Sequence, residues 1–350
     1  MDLQERLQRL YREPNRGDLI HFLATPDMNE VGCLYDFADR VRREHVGDAV
    51  HLRAIVEFSS FCRNDCLYCG LRRSNHARRR LRMPLDEIVA QCRRAETLGF
   101  RTAVLQSGED PFYGREAIAG LVRRVKAETG LAVTLAVGER SEEEYRAFFT
   151  AGADRYLLKH ETSDRELYER LDPGLSHERR IGCLRLLKRI GFQTGSGIMV
   201  GLPGQSLESI ADDILLFRDL DLDMIGCGPF IPHPATPLAA EPPGSEELTY
   251  RVLALARLVT RDTHIPATTA LAVTAGDAGR ASALCRGANV VMPNITPQPW
   301  RGAYEIYPSK GRTEVFDPSL LERLRRTLCE LGRFIAEDAG ERVGFPHSIS

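Results

Sequence analysis

The sequence carries almost no surplus of charge: its 350 residues hold 47 Lys and Arg against 49 Asp and Glu, a formal net charge of −2. Without an excess of one sign there is no global field to gather nucleic acid or an anionic membrane, so partners must be recognised locally, in a site. Long apolar runs are missing too. The start, MDLQERLQRLYREPN, alternates charges with leucines where a signal peptide would have an apolar core. No later stretch reaches the roughly 18 uncharged apolar residues of a membrane span. A cytoplasmic location is expected, where thiols stay reduced and the nine cysteines do not form a disulfide scaffold. No GxGxxG follows the first predicted strand, which argues against an open dinucleotide-binding sheet.

What the sequence does have is an alternation. Residues 1–48 read as an N-terminal helical cap, with Leu3, Leu7 and Leu10 on one face and a second helical segment after Thr25-Pro26-Asp27. From residue 49 to 350, apolar or β-branched runs alternate with charged amphipathic segments. The predicted strands are HLRAIVEFS (51–59), TAVLQS (102–107), AVTLAV (132–137), RYLLKH (155–160), FQTGSGIMV (192–200), DMIGCGPF (223–230), ATTALA (267–272) and NVVMP (289–293). Helical segments such as PLDEIVAQCRRAETLG (84–99) and SHERRIGCLRLLKRIG (176–191) lie between them and end in glycine, as a helix C-cap would. Strict alternation implies parallel strands joined by right-handed crossovers, and eight units suffice to close a ring. The expected fold class is α/β, a (β/α)8 TIM barrel with an N-terminal helical extension, its chemistry at the C-terminal ends of the strands.

The unusual residues fall at those ends. After the first strand comes CRNDCLYC, whose Cys62, Cys66 and Cys69 can converge from one loop on a metal centre that prefers soft sulfur, either zinc or iron–sulfur. A closed zinc site would want a fourth ligand, and neither His51 nor His76 is well placed to supply it. The other six cysteines are scattered and read as small buried hydrophobes. Glu161 after the fourth strand could accept from an ammonium, and Arg180 or its rival Arg179 could clamp a carboxylate. GIMVGLPGQ offers backbone that can pass close to a ring, with Met199, and Met224 in the next strand, as polarisable apolar contacts. Gln106, Thr134, Arg155, Thr268, Thr269 and Tyr304 could line a polar chamber. Arg155 is a charge early in a strand, costly unless paired; an anionic ligand and a carboxylate such as Asp154 are equally good partners on sequence grounds. The basic stretch LRRSNHARRRLRM (71–83) reads either as a docking surface or as a solvated loop, and without interleaved aromatics it does not suggest nucleic acid.

The cysteine spacing, with Tyr68 just before the last thiol, resembles the radical S-adenosylmethionine superfamily. Three cysteines on a [4Fe-4S] cluster leave one iron open to S-adenosylmethionine. Ser107-Gly108-Glu109 resembles that superfamily's glycine–glycine–glutamate stretch, with Ser107 in place of the first glycine. Further motifs, CLYCGLRRSN, LQSGEDP, GADRYLLKHETSD, GIMVGLPGQ, GPFIPHPATPLA, IPATTALA and GANVVMPN with YPSK, are similar in order and content to the [FeFe]-hydrogenase maturase family of the biotin synthase-like group. The resemblance implies that Cys62, Cys66 and Cys69 bind the cluster and that Ser107, Glu109, Glu161, Arg180, Met199 and Met224 surround S-adenosylmethionine. It also implies that Gln106, Thr134, Arg155, Thr268, Thr269 and Tyr304 line the substrate cavity. The implied activity is reductive cleavage to a 5′-deoxyadenosyl radical, used in assembling the di-iron subsite of the hydrogenase H-cluster. The implied partners are a small-molecule or iron-complex substrate, an electron donor such as a ferredoxin or flavodoxin, and other maturases. Radical mutases and sulfur inserters of the methylornithine synthase and biotin synthase type are the alternative. Some family members carry three further C-terminal cysteines. Here the matching segment, GRTEVFDPSLLERLRRTLCEL, has only Cys329, so no accessory cluster is expected.

Overall fold

The computed structural model describes residues 2–308, 316 and 318–345; Ser309 and Lys310 of the YPSK motif and Glu314 of the C-terminal segment lie outside the described residues. Helices α1 (Leu3–Arg12), α2 (Arg16–Ala24) and α3 (Met28–Val46) come first. The alternation follows: β1 (Ala49–Ser59), α4 (Leu85–Thr97), β2 (Thr102–Ser107), α5 (Arg115–Glu128), β3 (Ala132–Ala136), α6 (Glu142–Thr150), β4 (Arg155–Leu157), α7 (Arg165–Leu171), α8 (His177–Ile190), β5 (Gln193–Val200), α9 (Leu207–Asp219), β6 (Met224–Pro229), α10 (Glu246–Thr260), β7 (Pro266–Ala267), α11 (Thr269–Leu284) and β8 (Val290–Val291). Helices α12 (Trp300–Ala303) and α13 (Pro318–Glu330) and strand β9 (Phe334–Ile335) complete the chain.

The strands pair in parallel in the order β6-β5-β4-β3-β2-β1-β8-β7. The gap between β6 and β7 is spanned by a parallel bridge from Met224 to His264, so the ring of eight is nearly closed, as expected. Strands covered on both faces read as near-continuous apolar runs, and β2 and β5 are buried along almost their whole length. Local chemistry sets the helix ends. Ser141 and Glu144 form a reciprocal capping box at the start of α6, and Gly191 ends α8 in the left-handed region that glycine tolerates (φ 110°). The N-terminal helices share the barrel's core: Leu7, Leu10, Phe22, Leu34 and Phe37 are buried in one apolar cluster with the strands, α3 packing on α10 and α2 on α9.

The seventh predicted strand needs correction. Only Pro266–Ala267 is strand, and ATTALA turns helical at Thr269. The two threonines look like strand residues, but Ala270, Leu271 and Ala272 are good helix formers and α11 begins at once.

The N-terminal end of the barrel is sealed by the chain's own tail. β9 pairs in parallel with the first residues of β1, and the segment after it crosses beneath the strands. There Arg155, fully buried, donates to Thr102 Oγ1 (3.2 Å), Gln193 Oε1 (3.2 Å) and the carbonyls of Ala339 (3.0 Å) and Gly340 (3.1 Å). Arg53 also donates to the Gly340 carbonyl (3.1 Å), and His264 meets the carbonyl of Glu341 (3.1 Å). Gly340 has a positive φ of 67°, and a Cβ there would collide with the ring of His51.

Candidate active site

The cysteines sit on the loop between β1 and α4, at the C-terminal mouth of the barrel. Its backbone is docked on three sides: Arg63 N–H donates to the Glu109 carbonyl (3.0 Å), Leu67 N–H to Leu171 (2.8 Å) and Gly70 N–H to Ile306 (2.9 Å). Gly70 and Gly108 are needed for these approaches, because a Cβ at either would strike a neighbouring backbone oxygen. The basic stretch is largely not a free loop. Arg80 gathers the carbonyls of Ser60, Leu71, Arg72 and Asn75 at 2.6 to 3.3 Å; Arg72 pairs with Asp65 (2.9 Å), Arg78 with Glu305, and Arg82 with buried Asp110 (2.7 Å). Asp110 in turn accepts from Ser59 (2.6 Å), which ties the loop back to its own strand.

None of Cys62, Cys66 and Cys69 is in a disulfide, and all three are half-buried. Burial pushes the thiols of Cys62 and Cys66 up, and neighbouring Asp172 adds to the effect on Cys66. Such thiols ionise only when a cationic centre replaces their protons, which is what a metal cluster does. Among the described residues no three His, Cys, Asp or Glu side chains converge closely enough to share a single ion. Three separate thiolates suit a polynuclear cluster, each meeting its own iron, so the residues present fit an iron–sulfur centre.

Below the loop lies a half-enclosed chamber of about 380 Å³. Cys66, Cys69 and Tyr68 form part of its rim; Lys159, Glu161, Asp172 and Arg180 give it a charged upper wall; Val104, Leu157, Ile225, Phe230 and Ile306 make it largely apolar. Glu161 holds a positive φ of 64°, a conformation non-glycine residues rarely adopt, and its carboxylate takes Lys159 Nζ at 2.9 Å. Arg180 is buried, donates through Nε to Glu139 (2.7 Å) and through Nη1 to the Lys159 carbonyl, and keeps its guanidinium on the chamber. Arg179 also reaches Glu139 (3.0 Å) but is mostly exposed and is not in the chamber wall. Tyr68 donates its hydroxyl to Asp172 Oδ1 (2.8 Å), and burial raises the Asp172 carboxyl to about 6.

Gln106, Thr134, Thr268, Thr269, Met199 and Met224 also wall this chamber, and Thr134 Oγ1 and Thr268 Oγ1 are buried with no hydrogen-bond partner among the described residues. Ser107 and Glu109 are not in its wall. Glu109 instead accepts from Arg63 Nε (2.6 Å), Asn64 Nδ2 (3.1 Å) and Glu139 N–H (2.9 Å) and so braces the cysteine loop, while Ser107 Oγ makes a local bond to the Gly108 carbonyl (2.6 Å). Tyr304 lies buried behind the wall, bonded to Gln106 and near the thiols of Cys62 and Cys69. Arg155 is in the sealing layer beneath and does not reach the chamber surface; Asp154 bonds Lys126 instead (3.1 Å), so neither partner expected from sequence holds the guanidinium. Sequence reasoning missed Asp172, Lys159 and Arg53. The logic applied to Arg155, a charge inside an apolar strand, would have found Arg53, but nothing in ERLDPG marks Asp172.

The model of the Radical SAM superfamily matches residues 56–217. The [FeFe] hydrogenase maturase subunit HydE of Thermotoga maritima is 46% identical over 341 residues, 97% of this chain and 97% of that protein. The 3-methylornithine synthase of Methanosarcina acetivorans is 32% identical over 276 residues, 78% of this chain and 77% of that one. The crystal structure of methylornithine synthase (PylB) superposes with a TM-score of 0.83 at 27% identity, covering 95% of this chain and 97% of that one. A barrel that carries three thiols above a charged chamber, with these likenesses, defines a radical S-adenosylmethionine enzyme, a class that works with a [4Fe-4S] cluster and S-adenosylmethionine. Within that class the chain belongs to the HydE family of [FeFe]-hydrogenase maturases.

Proposed function

We propose that the chain cleaves S-adenosylmethionine reductively and uses the resulting radical in assembling the di-iron subsite of the [FeFe]-hydrogenase H-cluster. The observation that carries this reading is the placement of Cys62, Cys66 and Cys69 on one pinned loop, at the mouth of a chamber walled by Glu161 and Arg180. When bound, the cluster supplies the electron for cleavage. The chain's residues do the rest. Arg180 presents a guanidinium to the methionyl carboxylate, and Glu161, next to Lys159, presents acceptor oxygens to the ammonium. Met199 and Met224 offer apolar contact, while Glu109 acts through the cysteine loop it braces and Ser107 through the turn that carries Glu109. Apolar walls exclude water from a reactive species, and Gln106, Thr134, Thr268 and Thr269 remain to orient a polar substrate, with Tyr304 positioning Gln106.

In this reading the triplet is the single cluster site, since Cys329 is the one cysteine of the C-terminal segment. Residues 1–48 serve as a helical extension to a barrel spanning 49–350. Electrons come from a ferredoxin or flavodoxin, other maturases exchange the small-molecule or iron-complex substrate, and the enzyme works in the cytoplasm. No helix among the described residues is long and apolar enough to cross a membrane. Anaerobically reconstituted, reduced protein should form 5′-deoxyadenosine and restore hydrogenase activation in an extract lacking this maturase. Cleavage without any activation would instead favour a mutase acting on a free amino acid.

A further inference from the structure

Asp172 is a buried carboxylate, 2% exposed, in the upper wall of the chamber. One oxygen is used: Oδ1 takes the Tyr68 hydroxyl. The other, Oδ2, is buried with no hydrogen-bond partner among the described residues. A desolvated carboxylate with a free oxygen is unfavourable unless a donor or a cation completes it. The cations nearby are already engaged, Arg180 with Glu139 and Lys159 with Glu161. The neighbouring Cys66 thiol offers nothing once it ligates iron, because a thiolate has no proton to donate. That oxygen is therefore available to a cationic ligand bound in the chamber. S-adenosylmethionine carries three charges. Arg180 matches its carboxylate and Glu161 its ammonium, which leaves the sulfonium without a counter-charge.

We propose that Asp172 is a binding residue for S-adenosylmethionine, its free carboxylate oxygen acting as counter-charge to the sulfonium. This rests on the functional reading above. It gives the site a way to tell the intact cosubstrate from its neutral-sulfur relatives: cleavage converts the sulfonium to the uncharged thioether of methionine, and the attraction to Asp172 disappears with it. Tyr68, between two cluster ligands, holds the carboxylate in place and couples its position to the cysteine loop.

The test measures the affinity of the iron-loaded protein for S-adenosylmethionine and for S-adenosylhomocysteine, which keeps the ribose, ammonium and carboxylate but has no charge on sulfur. Asp172→Asn should weaken S-adenosylmethionine binding by about tenfold or more while changing S-adenosylhomocysteine binding little, and Asp172→Glu should recover part of the preference. Iron content and visible absorbance should match the wild type. Equal weakening for both ligands, or none, overturns the proposal. Asp172→Ser is the second uncharged variant; loss of the cluster in both Asn and Ser variants would make Asp172 a support of the loop and also overturns it. If the iron-loaded wild type binds neither ligand, it is the functional reading that fails; if only the variants behave like wild type, it is the assignment of Asp172.

Discussion

Arg155 and Asp172 are both charged, both buried, and placed at opposite ends of one barrel, yet only the arginine is fully engaged by the protein. At the N-terminal end the tail of the chain delivers two backbone carbonyls to Arg155, and Thr102 and Gln193 supply side-chain oxygens. At the C-terminal end Asp172 Oδ2, Thr134 Oγ1 and Thr268 Oγ1 lack hydrogen-bond partners among the described residues. The difference separates stability from function. A charge the fold completes closes the structure; a polar group left incomplete in a chamber wall waits for a ligand.

The comparison can be broken first at its strongest point. Arg155→Leu strands buried acceptors in the seal and should lower unfolding free energy by about 3 kcal/mol or more in urea titration of the apoprotein. A loss near zero would mean that the tail does not depend on this residue. The next effect is pH-dependent. Burial, reinforced by Arg53, lowers the pKa of His51 from its ordinary 6.5 to about 4. Between those values the unfolded chain binds more protons than the folded one, so His51's contribution is fully present above pH 6.5 and is lost as pH falls toward 4. Stability should drop by about 2 kcal/mol from pH 7.5 to 5 on this account, and His51→Phe should flatten the drop. An unchanged slope would place the acid sensitivity elsewhere. The smallest effect has the opposite sign: burial raises the Asp172 carboxyl from its ordinary 3.8 to about 6, so its ionisation costs stability at pH 7.5, and Asp172→Asn should raise the stability of the apoprotein by about 1 kcal/mol. A destabilised variant would show that the fold, not a ligand, completes Asp172.

Much of this architecture was legible because parallel barrel strands leave a strong apolar signature, and because three cysteines on one loop carry their chemistry in their spacing. Arg180 could be named from sequence but not separated from Arg179 until the turn of α8 buried one and exposed the other. The seventh strand was misread since threonines suit strands and helix starts alike. Arg155 was harder. Its carbonyl partners at Ala339 and Gly340 lie 184 and 185 residues away, and a backbone acceptor leaves no trace in residue type. The same applies to Arg80 and its four carbonyls, which turned a basic run into the clamp of the cysteine loop.

The central proposal is that the open end of the barrel holds one four-iron cluster on Cys62, Cys66 and Cys69. Iron and sulfide analysis of anaerobically reconstituted protein, beside a variant with all three cysteines changed to serine, tests it most directly. About four irons per wild-type chain and none in the variant is the predicted result. Retention of a cluster by the variant, or of substantially more than four irons by the wild type, would contradict it.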